Sequence, residues 1–145
     1  MQTFLPYESF DQSARCLDSK RLGKQRVEAW QIYQALTVPG YGWKNHPAVQ
    51  MWRDRKYAIL NYGIQICQEW IRRGFADKMI GRFVSKLLYE YQISTALPPW
   101  LGDLRFHAAH RAILLAKNYE WYKQFGWTEK PAVKINGKWP YVWPV

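Results

Sequence analysis

Acidic side chains are scarce in this chain. Eleven Asp and Glu stand against 21 Lys and Arg in 145 residues, leaving a formal net charge of +10. That imbalance points to a polyanionic partner, either nucleic acid or an anionic membrane surface. Cysteine is scarcer still. Cys16 and Cys67 lie far apart and lack metal-ligand spacing, so they read as buried thiols in a reducing compartment. No apolar run approaches the ~18 residues needed to cross a bilayer. The opening MQTFLPYESF has no basic region followed by an apolar core, so it does not read as a signal peptide. Repeats, low-complexity tracts and long linkers are also missing, and residues 1–145 read as a single domain. We therefore expect a cytoplasmic, nucleoid-associated protein that works as a monomer.

Aromatic residues are abundant: nine Trp, ten Tyr and six Phe, within a hydrophobic content of 48%. Such a chain is too apolar for disorder and can build a core. The Trp residues are scattered rather than gathered on one basic amphipathic helix, which favours nucleic acid over membrane. Cations then bind phosphates while rings stack on bases.

The stretch Asp18–Glu28, DSKRLGKQRVE, concentrates this charge: Lys20, Arg21, Lys24 and Arg26 fall within seven positions, framed by two carboxylates. Wound as a helix, Asp18, Arg21, Gln25 and Glu28 share one polar stripe facing solvent. Leu22, Ala29, Ile32, Tyr33 and Leu36 form the apolar stripe. The bland alternative is a solvated helix with favourable ion pairs. Gly23 costs roughly 1 kcal/mol there relative to alanine, and among four cations it would let an anionic ligand approach the backbone.

The spacing predicts an all-α fold of about four helices. The first is capped by Asp11 or Ser13 and runs to about Leu36. Asn45-His46-Pro47 opens a second that ends at Arg72-Arg73-Gly74, and His46 is either a cap or a phosphate contact. Asp77 caps a third, whose Ile80, Phe83, Val84, Leu87, Leu88 and Tyr91 make a core stripe. Asp103 caps a fourth, carrying Arg111 and Lys117. His107 and His110, three apart, are a weak metal signal, and no metal is assigned. Trp121-Tyr122-Lys123-Gln124-Phe125-Gly126-Trp127 is either aromatic packing or a surface that stacks on bases. Asn136-Gly137 marks a hairpin turn, and an extended aromatic C-terminal tail follows.

In order along the chain, Arg26-Val27, His46, Arg73-Gly74-Phe75, Pro99, Gly102-Asp103, His107 and the segment WYKQFG at 121–126 resemble the pyrimidine-dimer DNA glycosylases of the bacteriophage endonuclease V type. The likeness is closer still to a bacterial branch that opens on FLP, carries LDxxRLGKQRVE and HPAVxMW, and ends in YVWP. The resemblance implies a helical enzyme needing no cofactor that acts on duplex DNA containing a lesion or an abasic site. In that family a free α-amine attacks the sugar C1′, the damaged pyrimidine leaves, and β-elimination through the imine cuts the strand. An α-amine, titrating near about 7.7–8.0, is partly neutral at cellular pH. The resemblance makes Met1 the source of the amine, or Thr3 if two residues are trimmed. The family's glutamate falls at Gly23, so Glu28 and Asp18 are the nearest carboxylates and the expected acids, while Lys20 or Lys24 are alternative imine formers. Lys20, Arg21, Lys24, Gln25, Arg26, His46, Arg111, Lys117, Trp121, Tyr122 and Lys123 are the expected DNA contacts.

Overall fold

A computed structural model describes residues 1–144. Seven α-helices follow one another: α1 (Phe10–Cys16), α2 (Ser19–Thr37), α3 (Pro47–Gln50), α4 (Lys56–Arg72), α5 (Ile80–Tyr91), α6 (Leu104–Lys117) and α7 (Tyr119–Tyr122), with a 3-10 turn at Lys123–Phe125. Among the described residues there is no strand, only one isolated bridge between Ile135 and Lys138. The fold is thus all-α. Four of its helices are long, and the three short ones arise where the expected long helices break.

Each break has a local cause. The expected first helix divides because Leu17 and Asp18 take extended backbone, with ψ of 137° and 153°. Leu17 is fully buried there, and the Asp18 carboxylate bonds the Tyr122 hydroxyl. The second divides after α3, where Asp54 takes a left-handed φ of 61°. His46 caps α3 through Nδ1, which accepts the Ala48 amide at 3.0 Å, and Pro47 occupies the first turn. Gly74, at φ 92°, follows the last turn of α4. The α5 N-cap is Met79 rather than the expected Asp77, which instead reaches in from two residues earlier, its Oδ2 accepting the Ile80 amide at 2.7 Å.

The core lies where α2 crosses α4. Leu22, Ile32, Trp52, Ile59, Leu60, Tyr62 and Ile66 are fully buried within it. At Gly63 a Cβ would come within 2.2 Å of the Phe83 ring, so glycine is what lets α5 approach α4. Only part of the expected α5 stripe joins the core, with Ile80 and Leu87 half-buried against it. Phe83 is buried, but Val84, Leu88 and Tyr91 are 46%, 70% and 62% exposed, because nothing in the described chain covers the far side of this helix.

The feature that positions the site is the start of the chain. Residues 2–6 are buried as an extended segment beneath α2, α4 and α6. A buried backbone without a neighbouring strand leaves its amides and carbonyls unpaired, and here side chains take the place of a strand. Gln25 Oε1 accepts the Phe4 amide at 3.0 Å, and Gln25 Nε2 donates to the Gln2 carbonyl at 2.9 Å. His110 Nδ1 accepts the Leu5 amide at 2.9 Å, while the Leu5 carbonyl lies 2.7 Å from His107 Nδ1. His107 Nε2 accepts from the Gly102 amide at 3.0 Å, which makes Nδ1 the donor to Leu5. The Tyr62 hydroxyl meets the Phe4 carbonyl at 2.9 Å, and Arg111 donates to the Pro6 carbonyl at 2.7 Å. Trp52 Nε1 donates to Thr3 Oγ1 at 3.2 Å.

Candidate active site

The buried segment emerges into a pocket of about 430 Å³. Its walls are Met1, Gln2 and Phe4 from the chain start, Lys20, Arg21, Lys24, Gln25 and Glu28 from α2, Lys117 at the end of α6, and Trp139 and Tyr141 from the tail. Four cations therefore surround one carboxylate. A larger recess of about 560 Å³ is lined by Glu8 and Asp11 and by no Lys or Arg, the wrong sign for a polyanion.

Glu28 is the organising group. The residue is 8% exposed. Its Oε2 accepts the Gln2 backbone N–H at 2.9 Å and Gln25 Nε2 at 3.2 Å, and its Oε1 lies 3.6 Å from Lys24 Nζ. The carboxylate is thereby held against the chain start. No ion pair within 4.0 Å links the Met1 amine to a carboxylate among the described residues, so the nitrogen next to Glu28 is that of residue 2. The polar stripe expected to face solvent instead faces inward at three positions: Gln25 and Glu28 are buried because the chain start docks on them, and Asp18 because Tyr122 of α7 does.

Asp18 sits elsewhere. Ten residues along a helix is about 15 Å, and its partners are Arg21 Nη1 at 3.3 Å and the Tyr122 hydroxyl. It fixes α7 onto the start of α2 and does not line the pocket. Burial and that bond push the Tyr122 phenol far above its ordinary range.

Of the expected DNA contacts, Lys20, Arg21, Lys24, Gln25 and Lys117 converge on the pocket. Lys117 has no carboxylate partner among the described residues, and its Nζ lies 5.2 Å from the Trp139 ring centre and 6.0 Å from that of Phe4. Burial, then the charges of Arg21, Lys134 and Lys24, hold its amine below the ordinary lysine range, against the opposing pull of Glu28. His46 lies close enough to the chain terminus to feel its charge, which adds to burial in favouring the neutral imidazole.

Other expected contacts are engaged within the protein. Arg26 pairs with Asp77 at 2.6 Å and stacks 4.4 Å from the Trp70 ring centre. Burial opposes the Asp77 charge, but Arg26 and the Ile80 and Met79 amides outweigh it and hold the carboxyl below its usual range. Arg111 grips both oxygens of Glu129, at 2.8 and 3.0 Å. Tyr122 is fully buried and offers no ring face to a base, which corrects the stacking expectation for that residue. Trp121 is half-buried with its Nε1 donating to the Cys16 carbonyl at 2.7 Å, and Lys123 is exposed and paired with Glu120 at 2.7 Å. Gly23 is corrected too. A Cβ there would meet the Trp70 ring at 2.9 Å, so the close neighbour is an indole rather than an incoming phosphate.

The sequence reading missed Gln2, Trp139 and Tyr141 as pocket walls and His107 and His110 as clamps. The spacing of the two histidines was noticed, but only as a metal signal. The tail is half-buried at Trp139, Tyr141 and Trp143, with Tyr141 edge-on to His110 and Trp143 edge-on to His46.

A family model described as pyrimidine dimer DNA glycosylase matches residues 1–80. The chain belongs to that family. No curated protein and no solved structure gives a significant match. The matched part of this pyrimidine dimer DNA glycosylase family member holds the chain start and α1 to α4, hence every pocket residue from Met1 to Glu28. Lys117, Trp139 and Tyr141 lie outside it.

Proposed function

We propose that the protein is a DNA glycosylase with AP-lyase activity, excising a damaged or modified pyrimidine from duplex DNA. One observation carries the reading: Glu28 Oε2 lies 2.9 Å from the nitrogen of residue 2, in a pocket walled by cations. An amine at the chain start attacks C1′ of the lesion nucleotide and the base departs. The protonated imine then loses its C2′ proton, and the C3′–O bond breaks. A carboxylate beside the amine stabilises the cationic sugar and moves the proton, while the cations hold the phosphates. The amine is that of Met1, or that of Gln2 in a chain trimmed by one residue, which would stand at the position Glu28 already contacts. Thr3 is a poorer candidate, since its side chain is held by Trp52 and it does not line the pocket.

The test is borohydride trapping on UV-irradiated or abasic duplex, with intact-mass measurement of the protein to identify its first residue. An adduct on the N-terminal peptide is expected. Neither adduct nor nicking at high enzyme excess overturns the proposal. A second reading, a non-catalytic binder of distorted DNA, draws on the fact that both Glu28 oxygens already have partners. Glu28→Gln separates the two. The enzyme loses at least 100-fold in turnover, on the order of a general acid–base contribution, and keeps its affinity. A pure binder shows no change in product formation because it forms none.

A further inference from the structure

Lys117 is the pocket cation whose placement the proposed chemistry does not explain. Lys24 is paired with Glu28, and Lys20 is exposed on the rim. Lys117 is different. It enters from the last turn of α6, a different element from the α2 that carries the other three pocket cations. Its Nζ lies over two aromatic rings, 6.0 Å from the centre of Phe4 and 5.2 Å from that of Trp139. It forms no salt bridge among the described residues, while Arg21, Lys24 and Lys134 crowd it with like charge. A phosphate-gripping lysine gains from being charged and hydrated. Burial and the neighbouring cations instead shift this amine toward its neutral, nucleophilic form, the setting in which imine-forming lysines are found.

We propose that Lys117 is a second imine-forming residue, giving the protein a lyase activity on abasic sites that does not require the amine at the chain start. The proposal rests on the reading that the pocket receives the sugar of a DNA lesion. The Nζ lone pair adds to the C1′ aldehyde of the ring-opened abasic sugar, and the carbinolamine loses water to give a protonated imine. Glu28, the one carboxylate among the described residues lining the pocket, takes the C2′ proton. The electrons of that bond form the C2′=C3′ double bond and expel the 3′ phosphate. Water then hydrolyses the imine and returns the free amine. No oxidant, metal or further reactant is required.

The full-length chain is used with its α-amine converted to a ketone by transamination, which removes the nucleophile without adding bulk. Borohydride trapping on an abasic duplex is followed by peptide mapping, beside untreated protein and Lys117→Arg in both forms, with folding of each checked by circular dichroism. The transaminated protein is expected to retain an adduct on the peptide containing Lys117, with a yield that rises with pH and levels off below the usual lysine range. Lys117→Arg should lower that yield at least tenfold, while its untreated form still traps through the chain start. Three results overturn the proposal: no adduct once the α-amine is gone, an adduct mapping to Lys20 or Lys24, or an undiminished yield in Lys117→Arg. In the first case, trapping of untreated protein at the chain start leaves the glycosylase reading intact. If untreated protein also fails to trap or nick, both readings fall.

Discussion

At the scale of single residues, the clasp on Leu5 makes the chain start sensitive to pH. Burial, reinforced by the nearby His107, holds the His110 imidazole down to about 3, and His107 is lowered as well. His110 accepts the Leu5 amide through Nδ1, so a proton there would replace an acceptor with a donor. The unfolded chain takes up this proton near pH about 6.5 and the folded chain does not. The stability that His110 contributes is therefore complete above that pH and is lost as pH falls, at roughly 1.4 kcal/mol per unit between about 6.5 and 3. Urea unfolding at pH 7.5 and pH 5 should show a lower midpoint at pH 5, and His110→Asn should flatten that dependence while lowering stability at both. An equal slope in the variant would contradict the assignment. The cysteines add no such dependence near neutrality, since burial pushes both Cys16 and Cys67 up to about 12.

At the scale of elements, the α4–α5 contact depends on a missing methyl group. Gly63→Ala places a carbon 2.2 Å from the buried Phe83 ring, so one helix must move. We expect a loss of about 1–3 kcal/mol. Phe83→Leu in the same chain should recover part of it, a non-additivity that thermal melts of the two single variants and the double variant will reveal. Helix types and several caps were legible in the sequence because they depend on neighbours: His46-Pro47, Asp103 and Gly74 act where local rules put them, whereas α1 is capped by Ser9 rather than Asp11 or Ser13, and α5 starts after Met79 with Asp77 reaching in from two residues earlier. The division at Leu17-Asp18 was not legible, since its cause is Tyr122, 104 residues away along the chain. The inward turn of Gln25 and Glu28 was hidden for the same reason. Helical periodicity groups a stripe of side chains but does not say whether solvent or another segment will cover it. The exposed stripe of α5 shows the converse case, in which apolar residues at core spacing found no cover.

At the scale of the whole molecule, the excess charge is gathered unevenly. Lys20, Arg21, Lys24 and Lys117 ring one pocket, whereas Arg26, Arg73 and Arg111 are used to tie elements together. DNA affinity should therefore reflect fewer charges than the net +10 suggests. If the three α2 cations, Lys20, Arg21 and Lys24, each neutralise a phosphate, the logarithm of the affinity should fall against the logarithm of salt with a slope of about −2.7. Lys20→Gln should reduce that slope by about 0.9, measured by fluorescence anisotropy on a lesion-containing duplex. An unchanged slope would remove Lys20 from the interface.

The clamp on the first residues also sets a schedule. Translation makes Met1 first, yet the side chains that bind residues 2–6 come from as late as His107, His110 and Arg111. Gln25, Glu28, Trp52 and Tyr62 can meet the leading end earlier, but the half of the clamp supplied by α6 is missing until about three quarters of the chain has been made. Seating of the first residues is therefore completed last, by the His107, His110 and Arg111 side chains of α6.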